Sequence, residues 1–285
     1  MIKFVKYFIQ AIFIYFFFFI GKLFGLRLSR RIFSLIFRSI GPVIKSKKIM
    51  KKNLLNFSSK ISNKKIMQIS SNMWANYGMT FIEYMFLKDF KKGRSHIQIK
   101  GEKILKKISV NNKPVIFVSG HFANFELMSM EIVKKKIKLA TIYRPLNNFF
   151  LNPTMEYLRK KFVCSNQIKK GRMGIKKIIE YLNSKHSIAL MIDQRVTEGE
   201  KIDFFNKKAF TTTLPAQLAL KNNLQIVPIF IERKDNDFFE MEVFQPIEVS
   251  KYKDKHQISK KLNKILEGMI KKNPNQWIWT HNRWK

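Results

Sequence analysis

The chain has 285 residues, 46% of them hydrophobic, and carries 55 Lys and Arg against 19 Asp and Glu, a formal net charge of +36. That length holds one large domain or two small ones with a sizeable core, and the single cysteine, Cys164, excludes an internal disulfide framework and a multi-cysteine zinc site. The cationic excess points to anionic partners, whether nucleic acid, phosphorylated lipid or an acidic protein, although heavy use of Lys, Asn, Ile and Phe throughout accounts for part of it.

Residues 4–26, FVKYFIQAIFIYFFFFIGKLFGL, are almost wholly apolar. The uncharged run 7–21 is about 22 Å long as a helix, and about 30 Å if it continues past a snorkelling Lys22 to Leu26, enough to cross a bilayer core. No small-residue cleavage site follows, so a removed leader is not expected. Lys22, Arg27, Arg30, Arg31 and Arg38 outweigh Lys3 and Lys6, which places the body of the protein on the cytoplasmic side. The alternatives are a core helix and a helix seated at the lipid interface. The expected organisation is an anchor over 1–28 and a single domain over 29–285.

Residues 29–90 show helical spacing of apolar residues, with Gly41-Pro42 expected to break the first helix from the next. Short strands follow at 96–101, 113–120, 138–145 and 187–193, separated by helices at 102–109, 125–137, 151–161 and 172–184. FTTTLPAQLALKNN (210–223) runs from capping threonines into a helix, QIVPIFIE and FFEMEVFQPIEV flank the turn KDND as a hairpin, and 254–272 is a last amphipathic helix. Strands alternating with helices predict an α/β fold, a mixed and mostly parallel sheet flanked by helices with one antiparallel portion.

In such sheets ligands sit beyond the carboxyl ends of strands, and VIFVSGHFANFELM puts His121 there. Positions five apart do not share a helical face, but His121 in the loop and Glu126 in the first helical turn can meet. Asn124 is then expected as the N-cap, and the helix dipole favours an ionised Glu126. An ionised carboxylate beside the ring makes His121 a competent general base near neutral pH; the competing reading is a satisfied structural histidine. Arg144 in IYRPLNN and Asp193, Gln194 and Arg195 in IDQR stand at two further strand ends, and Arg172 in KKGRMG opens a helix where it can meet an anion. No metal-ligand spacing, Walker loop, dinucleotide fingerprint or Gly-x-Ser-x-Gly elbow occurs. The lysine-rich runs lack the regular aromatic interleaving of a single-strand nucleic-acid binder. The terminal PNQWIWTHNRWK offers either an aromatic cover on the core or an interfacial belt and acyl-groove wall.

Taken together, GHFANFELM, YRPLNN, ALMIDQR, DFFNKKAFTTTLPAQLAL followed by IVPIF, and PNQWIWTHNRW resemble, in order across residues 30–285, the blocks of the bacterial lipid A biosynthesis (lauroyl/myristoyl) acyltransferases. The resemblance implies a glycerophosphate-acyltransferase-like fold and an N-terminal membrane helix. It implies His121 as general base with Glu126 as its partner, and Asn124, Arg144, Arg172, Asp193 and Gln194 as substrate-binding positions, with no metal or cofactor. It further implies an acyl carrier protein thioester as donor, a phosphorylated glycolipid (a lipid A precursor) as acceptor, no nucleic-acid partner, and a place at the bacterial inner membrane with the catalytic domain on the cytoplasmic side. Ala123 and Phe125 stand where the family's block has Gly and Trp. A lysophospholipid or another glycolipid is the alternative acceptor; charge alone allows a membrane-tethered nucleic-acid binder.

Overall fold

The computed structural model describes residues 2–93, 95–234 and 238–285. The N-terminal part is helical: α1 (Ile2–Ile44), α2 (Lys47–Phe57), α3 (Asn63–Glu83) and the short α4 (Leu87–Lys92). α1 is broken at Gly25, whose φ of 71° and ψ of 169° lie in a region open mainly to glycine. The Ser29 hydroxyl donates across the break to the Gly21 carbonyl (2.5 Å). Beyond the break α1 packs closely on α3: a Cβ at Gly78 would lie 2.2 Å from the Phe33 carbonyl oxygen. The expected boundary at residue 28 thus falls inside α1. The expected break at Gly41-Pro42 does not occur, for α1 runs through both to Ile44. Pro42 sits in the last turn, so the helix ends two residues after it, and the absence of a side chain on Gly41 admits the Trp74 ring.

The α/β part follows as β1 (Ile97–Lys100), α5 (Glu102–Asn111), β2 (Ile116–Ser119), α6 (Glu126–Lys134), β3 (Leu139–Tyr143), α7 (Asn152–Leu158), β4 (Asn166–Lys169), α8 (Arg172–Asn183), β5 (Ser187–Met191), β6 (Glu200–Phe204), β7 (Lys207–Thr211), α9 (Leu214–Asn222), β8 (Ile226–Arg233), β9 (Phe239–Val243) and α10 (Lys255–Lys272). One seven-stranded sheet has the order β1-β9-β8-β2-β5-β3-β4. Its neighbours are parallel except β8 and β9, which pair antiparallel as expected of a hairpin, while the expected turn KDND lies, after Lys234, outside the described residues. Residues 116–119 and 226–233 are buried throughout, as strands covered on both faces must be. This is the mixed, mostly parallel α/β architecture that the alternation of elements predicts.

Two features depart from the sequence expectation. β4 forms where no strand is expected. β6 and β7 pair as a separate antiparallel hairpin, turning on Phe205 (φ 50°) and Asn206 (φ 58°). Two successive positive φ values are the signature of a primed turn, normally written Asn-Gly or Asp-Gly. Here the turn is held from outside, by the Phe205 N–H donating to Glu267 on α10 (2.7 Å).

Candidate active site

The register of the sheet builds the site. β2 and β5 are parallel neighbours in which Ser119 pairs with Met191. Two residues beyond each paired end come His121 and Asp193, so the two side chains leave adjacent strands, roughly 4.8 Å apart, at the same height. His121 Nδ1 and Asp193 Oδ1 are 2.8 Å apart, and the His121 main-chain N–H donates to Asp193 Oδ2 (2.9 Å). The indole of Trp277 also donates to Asp193 Oδ2 (2.9 Å). A carboxylate only accepts, so Nδ1 carries its proton toward Asp193. Nε2 then holds the lone pair and makes no hydrogen bond among the described residues.

The hydrogen-bonded partner of the imidazole is therefore Asp193, not Glu126 as the spacing suggested. Glu126 does open α6, but its Oε1 accepts from the Tyr84 hydroxyl (2.6 Å) and from Arg159 Nε (2.7 Å). Arg159 also donates to the Tyr84 oxygen (3.0 Å); it opens a π-helical turn, Arg159–Val163, that continues α7. The guanidinium draws the carboxylate because a charged planar donor outcompetes a neutral imidazole. Asp193, in turn, is 2% exposed and turned onto His121 and Trp277, so the substrate-contact role expected for it does not fit its position.

Charge sets the protonation of the pair. Burial opposes ionisation of Asp193, but the charge of His121 and hydrogen bonds from His121 and Trp277 outweigh it and hold the carboxyl down to about 2. Burial likewise disfavours a protonated His121, but the charge and hydrogen bond of Asp193, with a further contribution from the Glu126 charge, raise its pKa above the ordinary histidine value. Both carboxylates thus favour the imidazolium.

A buried polar layer lies behind the loop. Glu83, fully buried at the end of α3, pairs with Arg30 (2.6 Å) and Arg233. The Asn124 amide donates to Glu83 Oε2 (2.9 Å). Asn124 is consequently not the helix N-cap, a place that falls to Phe125: it is 1% exposed, its amide nitrogen is held by Glu83, and its Oδ1 makes no hydrogen bond among the described residues. The Thr80 hydroxyl donates to the Ala123 carbonyl (3.0 Å), and the Ala123 N–H donates to the Gln276 carbonyl (3.2 Å). These contacts hold Ala123 at φ 42°, a left-handed conformation that costs an alanine about 1–2 kcal/mol.

Gln194 is half-buried beside Asp193, while Arg144 and Arg172 are exposed at the end of β3 and the start of α8. All three stand on the carboxyl edge of the parallel strands, but none makes a hydrogen bond or ion pair among the described residues, and the structure does not draw them into the His121 cluster. Trp277 and Trp279 are buried, at 1% and 0% exposure, so they belong to the core rather than to an interfacial belt or groove wall. Sequence reasoning missed Arg159, Tyr84 and Glu83, which carry no local signal. The imidazole's acid was legible only as an aspartate placed after a strand as His121 is.

The family model for "Bacterial lipid A biosynthesis acyltransferase" matches residues 2–285. Among curated proteins, the chain is 26% identical over 254 residues to a lipid A biosynthesis palmitoleoyltransferase of Escherichia coli (strain K12), covering 86% of this chain and 80% of that protein. It is 24% identical over 217 residues to lipid A biosynthesis acyltransferase 2 of Shigella flexneri, covering 74% and 68%. It is 22% identical over 210 residues to a lipid A biosynthesis myristoyltransferase of Escherichia coli (strain K12), covering 72% and 64%. Among solved structures, the 1-acyl-sn-glycerophosphate acyltransferase PlsC of Thermotoga maritima aligns over 89% of this chain and 100% of its own, at 13% identity and a TM-score of 0.44. With the family model spanning the whole α/β part and the helices before it, the chain belongs to the bacterial lipid A biosynthesis acyltransferase family and is an acyltransferase.

Proposed function

We propose that this enzyme transfers a fatty acyl chain from an acyl carrier protein thioester to a hydroxyl of a lipid A precursor, with His121 as general base. The observation that carries the reading is the His121–Asp193 pair at a strand end, with Nε2 free of protein partners. Nε2 takes the proton of the acceptor hydroxyl as its oxygen attacks the thioester carbon. The tetrahedral intermediate collapses with cleavage of the carbon–sulfur bond, and the imidazolium returns the proton to the departing thiolate. Asp193 fixes the tautomer and ring orientation and stabilises the imidazolium. Glu126, held by Arg159 and Tyr84, contributes a further negative charge that favours the imidazolium, which the Arg159 charge opposes.

The cationic surface suits both reactants, since a phosphorylated disaccharide lipid and an acidic carrier protein are each steered toward it. Arg144 and Arg172, exposed on the edge of the sheet that carries His121, are proposed as contacts to these anions, and Gln194 as a neutral contact beside the base. The enzyme is proposed to work at the inner membrane with the α/β part on the cytoplasmic side.

The test is transfer by purified full-length protein, wild type and His121→Ala, from acyl carrier protein thioester to a tetra-acylated lipid A precursor. Product with the wild type and none with the variant at unchanged thermal stability is expected. Transfer that survives in His121→Ala overturns the base assignment. Product only with a lysophospholipid acceptor overturns the substrate.

A further inference from the structure

Helix α8 turns toward solvent a face that covering the sheet does not require. We propose that this face is the docking surface for the acidic protein that carries the acyl donor, set at the catalytic edge of the sheet and on the side away from α1. The inference rests on the carrier-thioester reading above and gives it a surface.

α8 reads RMGIKKIIEYLN, and Gly174, Ile178 and Leu182 form its buried stripe. Ile175 and Ile179 repeat the same spacing one row away, yet both are exposed, and Met173 is 74% exposed. A helix that only covered the sheet would carry polar residues at these places. Lys169, Lys170, Arg172, Lys176 and Lys177 stand exposed around the three, against one exposed acid on the helix, Glu180. Lys169 leans on Glu156 (3.4 Å), while Lys170, Lys176 and Lys177 make no ion pair among the described residues. Apolar side chains ringed by unpaired cations match a partner that brings carboxylates around an apolar spot.

The place of α8 suits that partner. β4 runs parallel to β3, β3 to β5 and β5 to β2, so α8 begins on the edge where His121 stands. Three strand spacings separate β4 from β2, about 14 Å. A thioester on the flexible arm of a protein bound at α8 can cross that gap to the base. A small free thioester would have no use for a charged and apolar surface at this distance.

Cations and apolar groups together can also meet an anionic leaflet, but the topology favours the protein. β3–α7–β4 and β4–α8–β5 are successive crossovers between parallel strands, and they run in opposite directions along the sheet. With the right-handed connection that such crossovers take, α7 and α8 lie on opposite faces. α1, the helix long and apolar enough to cross a membrane, belongs with α7. On its first arm, before Gly25, the Tyr15 hydroxyl donates to the Phe150 carbonyl (2.8 Å) and lies 2.7 Å from Thr154 Oγ1 of α7. The next helices follow: Lys91 of α4 donates to the Lys161 carbonyl (2.7 Å), and Arg159 donates to Tyr84, just after α3 (3.0 Å). A membrane met through α1 therefore leaves α8 on the aqueous side, with the catalytic edge between lipid and carrier.

The experiment compares the full-length wild type with two double variants of equal charge change. One is Lys176→Glu/Lys177→Glu on α8; the other is Lys106→Glu/Lys107→Glu, exposed lysines of α5, which follows β1 at the opposite border of the sheet. Affinity for fluorescently labelled myristoyl-acyl carrier protein is read by anisotropy without acceptor, and sedimentation with vesicles of phosphatidylethanolamine and phosphatidylglycerol is read beside it. The α8 variant is expected to weaken carrier binding by about tenfold or more with vesicle binding unchanged, and the α5 variant to bind the carrier nearly as the wild type does. Equal weakening in both variants, which bulk charge alone would give, overturns the proposal. Unchanged carrier affinity in the α8 variant overturns it too, and a loss of vesicle binding in that variant then assigns the face to lipid. Transfer to a tetra-acylated lipid A precursor reports separately on the catalytic reading: carrier binding lost at α8 but no transfer by the wild type leaves the docking surface standing and removes the other.

Discussion

At position 193 a carboxylate is almost wholly removed from water and still ionised, because His121 and Trp277 supply the compensating charge and hydrogen bonds. Replacing it with an isosteric amide leaves the shape but not the charge. Asp193→Asn is expected to lower transfer by roughly 10²–10⁴, as the tautomer and imidazolium lose support. The sign of its pH effect is fixed. His121 must be neutral to act, and its pKa in the wild type is raised, so activity should fall as pH drops through a value above the ordinary 6.5. The asparagine variant should move that acid limb to lower pH, which a pH profile of kcat/KM will read. Two residues along, Ala123 occupies a left-handed conformation. Ala123→Gly removes the strain but adds freedom to the unfolded chain, about 0.4–1 kcal/mol. A net gain of up to about 1 kcal/mol in thermal unfolding is expected, with transfer unchanged.

Among the elements, α3 acts as the backing plate of the catalytic loop. Thr80 and Glu83 at its end hold Ala123 and Asn124, while Glu83 also gathers Arg30 from α1 and Arg233 from β8. Three distant segments converge on a single carboxylate, whose pKa lies below the usual range: burial opposes its ionisation, but Arg233 and Arg30 outweigh that. Glu83→Gln keeps the shape and removes the buried carboxylate charge that the two guanidinium groups share. A loss of about 3–5 kcal/mol is expected in chemical denaturation, and transfer should fall with it because the loop loses its anchor. The close crossing of α1 and α3 depends on a missing side chain. In Gly78→Ala a methyl group would meet the Phe33 carbonyl at 2.2 Å, so overpacking of about 1–3 kcal/mol is expected, read as a lower Tm.

For the molecule as a whole, a net charge of +36 facing the two anionic reactants proposed above would make encounter electrostatic. Raising ionic strength shortens the Debye length from about 10 Å at 0.1 M toward about 3 Å at 1 M. The proposed use of an acidic carrier protein therefore predicts that kcat/KM for the acyl donor falls steeply with salt while kcat changes little. A flat salt dependence would argue against a protein donor.

The amino-acid sequence alone determined the alternation of strands and helices, the apolar first segment, and the placing of His121 and Asp193 after buried strands. These are local properties, written in periodicity and in the residues that follow each run. The pairing of the imidazole with Asp193 rather than Glu126 was decided by the parallel register of β2 and β5, a contact between residues far apart in the chain that no spacing encodes. The β6–β7 turn escaped notice for a similar reason: Phe205-Asn206 is poor turn chemistry, held by Glu267 of a distant helix. The course of the first segment was likewise settled only in three dimensions. Hydropathy measures how apolar a run is, while the direction the chain takes at Gly25, and the loop against which the first arm rests, depend on packing with α3 and with residues 148–154.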